Sequence, residues 1–210
     1  MLHIENNTIN LDLFQNIILE IKENEEYAYD IIDSLSANQF KSKIKLLELI
    51  GKLPLDHKDL EIIIFGCWYG SILIPGLYRQ AQRITGIDLD EKVLKIAKNR
   101  FFKNKQKLEF IAGDVFDKDL SRYHSCDLFI NTSCEHMKPM KEWPFWSYAK
   151  TPSYFAFQSN NMFDIEGHVN CVHNISDFKS QLPINFTTFH EYEVEDSRGI
   201  RFTIVGKIEN

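Results

Sequence analysis

Two glycines and a carboxylate stand at a spacing that could do chemistry. Gly66 and Gly70 lie in Glu61-Ile-Ile-Ile-Phe-Gly66-Cys67-Trp68-Tyr69-Gly70, and Asp88 follows eighteen residues after Gly70. Glycines at the end of an apolar run let the backbone turn with positive φ and approach a ligand closely. A carboxylate ending the next apolar run, Arg83-Ile-Thr-Gly-Ile-Asp88, can accept hydrogen bonds from both hydroxyls of a ribose. Strand, glycine turn, helix, strand and acid, in that order, frame a nucleoside-binding βαβ unit. A pyrophosphate would need G-x-G-x-x-G. Counted from Gly66, Trp68 and Ser71 hold the second and third glycine positions, so a dinucleotide is the less favoured ligand.

The elements that must position these residues follow from periodicity. Leu13, Phe14, Ile17, Ile18 and Ile21, then Tyr27, Ile31, Ile32 and Leu35, recur at helical spacing, and a third helical run spans Phe40 to Ile50 before Gly51 and Pro54. Residues 1–58 therefore read as an N-terminal helical cap and 59–210 as the domain it packs on. In that domain the pattern predicts strands at Ile62–Phe65, Arg83–Ile87, Leu108–Ala112, Leu128–Asn131 and Tyr154–Gln158, with helices at Ser71–Gln82 and Glu91–Phe102. Phe186–Val194 and Ile200–Ile208, joined by Glu195-Asp196-Ser197-Arg198-Gly199, read as a hairpin. The expectation is an α/β, Rossmann-like, mostly parallel seven-stranded sheet with a C-terminal antiparallel hairpin. Asp90 is the expected N-cap of the helix at Glu91.

Charge and composition narrow the partners. A chain of 210 residues with net charge −6 lacks the basic footprint that phosphate backbones require, so nucleic acid is not the expected substrate. Cys67, Cys126, Cys134 and Cys171 have no disulfide-framework spacing and read as reduced thiols. The Met1–Asn7 segment lacks a basic region followed by an apolar run, and no stretch approaches the ~20 apolar residues that span a bilayer. A cytoplasmic protein is expected; its oligomeric state is not legible.

From Asp59 onward the order of motifs resembles a class I S-adenosylmethionine-dependent methyltransferase. Gly66 and Gly70 match the outer two of that family's three glycines, Trp68 replaces the middle one, and Ile64 stands where an acid usually precedes the turn. Gly113-Asp114 matches the family's Gly-Asp pair, whose carboxylate accepts from the adenine amino group. The resemblance implies S-adenosylmethionine as cofactor, held by Gly66, Trp68, Gly70, Asp88, Leu89, Asp114, Val115 and Asn131. Its nucleic-acid and protein-glutamine branches carry Asn-Pro-Pro-Tyr after the fourth strand. Asn131-Thr-Ser-Cys134 departs from that, which points to a small-molecule acceptor instead.

The acceptor side is read from the loops after the fourth and fifth strands. Glu135 and His136 are the candidate catalytic bases, His for its near-neutral pKa and Glu because burial can raise its own. Asn160 and Asn161 could orient a carboxylate or amide, and Gln39 and Lys43 of the helical cap are further candidate acceptor contacts. His168, Cys171 and His173, with Cys134 and His136, are metal-ligand types without paired CxxC or HxxxH spacing, so packing roles and no metal are expected. Trp143, Pro144, Phe145, Trp146 and Tyr148 could wall an acceptor site or pack a connecting segment. Two further readings stay open: the missing acid before Gly66 and the Glu135-His136 pair could suit aminocarboxypropyl transfer or cyclisation with the same cofactor, and the fold could serve as a non-catalytic binding module.

Overall fold

β1 (Leu60–Phe65) is the strand from which the sheet spreads. All of its residues except Glu61 are buried, and it pairs in parallel with β2 (Ala81–Asp88) on one side and β4 (Leu128–Asn131) on the other. Such a strand must be apolar on both faces, because helices or loops cover each side of a parallel sheet. The computed structural model describes residues 11–209, apart from positions 118, 120, 148, 184 and 197. The Met1–Asn7 reading, Tyr148, and Ser197 of the hairpin turn lie outside the described residues.

β3 (Leu108–Ala112), β5 (Ser153–Asn160), β6 (Phe186–Asp196) and β7 (Gly199–Ile208) complete a seven-stranded sheet in the order β3-β2-β1-β4-β5-β7-β6. β7 runs antiparallel to both β5 and β6, as the expected hairpin requires. The chain builds one half outward from β1 to β3 and returns to build the other from β4. The switch point is therefore between β1 and β4, where open α/β sheets hold ligands beyond their carboxyl ends.

Alternation along β1 divides the core. Ile62 and Ile64 face α1 (Leu11–Glu23), α2 (Glu25–Asp33) and α3 (Ala37–Ile50), joining Leu13, Ile17, Ile31, Leu46 and Ile50 in one apolar cluster. Ile63 and Phe65 face the opposite cluster of Phe129, Phe155, Phe157, Phe202 and Trp143. Gln158 ties α3 to the sheet: its buried Nε2 donates to the Ser42 carbonyl at 3.2 Å and to Thr203 Oγ1 at 2.9 Å.

Three local readings change. The helix expected over Ser71–Gln82 is only α4 (Leu73–Leu77), because β2 begins at Ala81 and Leu60 N–H already bonds the Gln80 carbonyl at 2.9 Å. No glycine or proline stands between Leu77 and the start of β2, so periodicity alone does not separate the end of the helix from the start of the strand. The helix at Glu91 is regular as α5 (Glu91–Ile96) and then widens into a π turn over Ala97–Phe101. Asp90 caps it, accepting from Lys92 N–H at 2.8 Å and Val93 N–H at 3.1 Å. A short helix not anticipated, α6 (Ile175–Ser180), is capped by Asn174, which accepts from Asp177 N–H at 2.9 Å; Asn-x-x-Asp was its signature in the sequence.

Candidate functional site

The turn after β1 depends on left-handed backbone at three alternate positions. Gly66 has φ +54°, Trp68 +49° and Gly70 +63°. Glycine adopts these conformations freely, whereas a tryptophan there costs of order 1–3 kcal/mol unless its surroundings fix it. They do. Trp68 N–H donates to Asp88 Oδ2 at 2.8 Å, and the indole Nε1–H donates to Asp30 Oδ2 on α2 at 3.0 Å. The helical cap therefore reaches the turn itself. A side chain at Gly66 would bring its Cβ to 3.0 Å from Ser133 Cβ, so the turn fits closely against the loop after β4.

Asp88 ends β2 at the next position along the sheet. Its other oxygen accepts from Asp90 N–H at 3.1 Å, so each oxygen carries one backbone bond and keeps a second lone-pair site. Asp114, after β3, forms a turn by accepting from Phe116 N–H at 2.9 Å. Gly66, Trp68, Gly70, Asp88, Leu89, Asp114 and Val115 all line one cavity of about 670 Å³ at the carboxyl ends of the strands.

The same cavity continues past the loop after β4 to Glu135, His136 and His168, and to Gln39 and Lys43 of α3. Glu135 is buried at 3% exposure beside Arg201 of β7, itself at 7%. Glu135 Oε1 accepts from Asn160 Nδ2 at 2.6 Å and from Arg201 Nη1 at 3.3 Å, while Oε2 is buried with no partner among the described residues. The Glu135 carbonyl accepts from Val169 and Asn170 N–H, each at 2.9 Å, which seats the loop after β5 on it. His136, exposed, has Nδ1 at 3.1 Å from the Gly167 carbonyl; His168, partly buried, has Nδ1 at 2.9 Å from the Met162 carbonyl. The two imidazoles meet edge to face with centroids 4.6 Å apart. Burial holds His168 below the usual imidazole pKa, against the opposing pull of Glu135. Lys43 donates to Gln39 Oε1 at 2.6 Å, and its amine is lowered from 10.5 to about 7, first by burial and then by Arg201, with Glu135 acting the other way.

Three expected contacts are corrected. Asn131 is fully buried and does not line the cavity; its amide donates to the sulfurs of Met137 and Met140 at 3.0 Å each, and its oxygen accepts from Ser133 N–H, shaping the loop that carries Glu135. Asn160 is also fully buried, its two amide ends taken by Glu135 and by Met162 N–H at 2.9 Å, so it positions Glu135 and faces no acceptor. Asn161 lies outside the cavity lining and accepts from Ile200 N–H at 2.7 Å, pinning the start of β7. Amides at the end of a central strand are buried by neighbouring loops, and buried amides must bond within the protein.

Trp143 and Trp146 of the aromatic run are packing residues. Trp143 is 2% exposed and meets Phe65 and Phe129 edge-on, its Nε1–H bonded to the Val115 carbonyl at 2.8 Å, and Trp146 packs on Phe129 and Trp143. Arg201 was missed by sequence reasoning: it sits in an ordinary strand, 66 residues from its partner, with no local signal. Thr132, Ser133, Ser34 and Asp33, which also line the cavity, were likewise not singled out. The four cysteines are free, and no described helix is long and apolar enough to cross a membrane.

Residues 64–143 match the family described as "Methyltransferase domain". No curated protein matches the chain. Among solved structures, the N-methyltransferase NodS from Bradyrhizobium japonicum, in complex with S-adenosyl-L-homocysteine, superposes with a TM-score of 0.67 at 13% identity, over 95% of this chain and 100% of that one. Magnesium protoporphyrin IX methyltransferase from Synechocystis, with bound S-adenosyl-L-homocysteine, gives a TM-score of 0.58 at 13% identity, over 82% of this chain and 83% of that one. At these identities the likeness is one of fold, and it agrees with the α/β, Rossmann-like sheet described above.

Proposed function

We propose that this chain, whose residues 64–143 match a methyltransferase domain and whose sheet has the fold of S-adenosylmethionine-dependent methyltransferases, transfers a methyl group from S-adenosylmethionine to a small-molecule acceptor. The observation that carries this reading is the continuity of one cavity, from the Trp68 turn, Asp88 and Asp114 at one end to Glu135, His136 and Lys43 at the other. Donor and acceptor must share one space for the reacting atoms to align.

The residues present fit the cofactor. The side-chain-free Gly66 and Gly70 leave room for close backbone approach, Asp88 keeps lone pairs for ribose hydroxyls, and Asp114, which lines the same cavity, is assigned to the adenine amino group. Asp33, at the end of α2, supplies a carboxylate to the cavity that β1 does not, since Ile64 is buried in the core; we assign it to the cofactor's ammonium. When bound, this cofactor supplies a methyl group on a cationic sulfur, so little chemical assistance is needed. The chain's task is then to orient the acceptor, exclude water and take up a proton if the acceptor arrives with one. Glu135, His136 and Lys43 are the groups placed to do so. The methyltransferase domain favours methyl transfer over aminocarboxypropyl transfer or cyclisation, and product analysis separates them: S-adenosylhomocysteine for the first, methylthioadenosine for the others.

Calorimetry with S-adenosylhomocysteine tests the cofactor half. The unmodified protein is expected to bind it, and Asp88→Ala to bind at least about tenfold more weakly, the ~1.4 kcal/mol or more expected for losing hydrogen bonds to a charged acceptor. Asp88→Asn keeps one acceptor for the Trp68 turn and should lose less. An unchanged dissociation constant in Asp88→Ala would remove that residue from the ribose site, and no affinity in the parent protein would overturn the reading.

A further inference from the structure

We propose that Glu135, His136 and His168 form a binding site for one divalent transition-metal cation at the acceptor end of the cavity. One ligating atom from each residue lies within 4.8 Å of the other two, and all three residues line the cavity. A carboxylate and two imidazoles suit zinc, manganese, iron or cobalt, and three protein ligands leave coordination positions for other donors.

The hydrogen bonds around the cluster prepare it for this role. A backbone carbonyl only accepts, so the Nδ1 atoms of His136 and His168, against the Gly167 and Met162 carbonyls, carry the ring protons. Each Nε2 is thereby left with a lone pair. Carbonyl-anchored Nδ1–H groups are the usual outer support of metal-bound histidines, fixing tautomer and ring orientation. Glu135, 3% exposed, is supported in the same manner: Asn160 and Arg201 hold Oε1, and Oε2 remains as a buried acceptor with no hydrogen-bond partner among the described residues. A buried carboxylate oxygen left unsatisfied is costly unless a ligand completes it. Sequence spacing argued against a metal because no CxxC or HxxxH pair is present; the fold brings His168 to the adjacent Glu135 and His136 by seating the loop after β5 on the Glu135 carbonyl.

Such a cation would bind an acceptor through oxygen donors and lower the pKa of a coordinated hydroxyl, making Glu135 and His136 ligands of the metal in place of free bases. That consequence rests on the methyl-transfer reading; the occupancy of the site does not.

The test is titration of chelator-treated, dialysed full-length protein with Mn²⁺, followed by loss of the free-ion electron paramagnetic resonance signal, and with Co²⁺, followed by visible absorption. One saturable site per chain is expected. The His136→Ala/His168→Asn double variant and Glu135→Gln should each weaken binding at least tenfold, by analogy with the ~10–100-fold losses seen when supporting groups of metal ligands are removed. Circular dichroism of each variant checks that the fold is kept. Absence of saturable uptake of both ions at millimolar concentration, or uptake unaffected by the double variant, overturns the site. S-adenosylhomocysteine affinity measured with chelator present reports on the cofactor half alone, so failure of the metal with that affinity intact leaves the methyl-transfer reading standing.

Discussion

Arg201→Met is expected to destabilise the fold by about 3–5 kcal/mol, the usual cost of stripping one partner from a buried ion pair. Arg201 and Glu135 side chains are only 8% and 4% exposed, and their 3.3 Å contact joins β7 to the loop after β4. Without the guanidinium, Glu135 keeps one hydrogen bond among the described residues, from Asn160, on a carboxylate that is almost wholly buried. In a chain of this size that loss corresponds to a fall in melting temperature of roughly 6–20 °C. Glu135→Gln combined with Arg201→Met removes both charges and should recover most of the deficit, because a buried pair replaced as a unit is often neutral. A single variant melting within about 2 °C of the parent would show that the pair contributes nothing to stability. The same pair sets the Glu135 carboxylate in place at the acceptor end, so the experiment also measures how much stability the site's geometry requires.

Lys43 gives the second large effect, as a dependence on pH. Its folded-state pKa of about 7 lies below the ordinary 10.5, chiefly because burial disfavours the ammonium. Between those values the unfolded chain holds a proton that the folded chain does not, so stability rises with pH across that window. The contribution is complete above pH 10.5, and it is lost as pH falls through 7, where the charge must be buried. Lys43→Met removes the dependence. Its advantage over the parent should be largest at pH 6 and should shrink by about 3 kcal/mol by pH 9, at roughly 1.36 kcal/mol for each pH unit inside the window. Urea unfolding at the two pH values measures it; parallel midpoints for parent and variant would show that the amine keeps its ordinary pKa. A near-neutral amine in the cavity is also the reason Lys43 stands among the groups able to take a proton from an acceptor.

The glycine turn and the carboxylate proposed for the cofactor were readable from the chain because they are built from neighbours in sequence. An apolar run sets β1, glycine sets the turn, and the next run places Asp88, so one periodicity and a few residue types specify the unit. The strand assignments and the Asp90 cap came from the same local code. The helix over Ser71–Gln82 was read too long because Tyr78-Arg79-Gln80-Ala81-Gln82 carries no glycine or proline stop, so nothing local marks where α4 ends and β2 begins.

What the sequence by itself determined is therefore the sheet, its reversed last strand and the glycine turn with its carboxylate. Only the tertiary structure decided the cluster around Glu135. Glu135 is an ordinary loop acid until Arg201, 66 residues away, and Asn160 converge on it. His136 and His168 come together only when the loop after β5 packs on the loop after β4, and the same packing takes Asn160 and Asn161 out of the cavity. Trp68, conspicuous in place of a glycine, acquires its reason from Asp30 on a helix 38 residues earlier. Backbone periodicity is a property of near neighbours, whereas burial and the choice of hydrogen-bond partner belong to whichever segments the fold presses together, and those are distant along the chain.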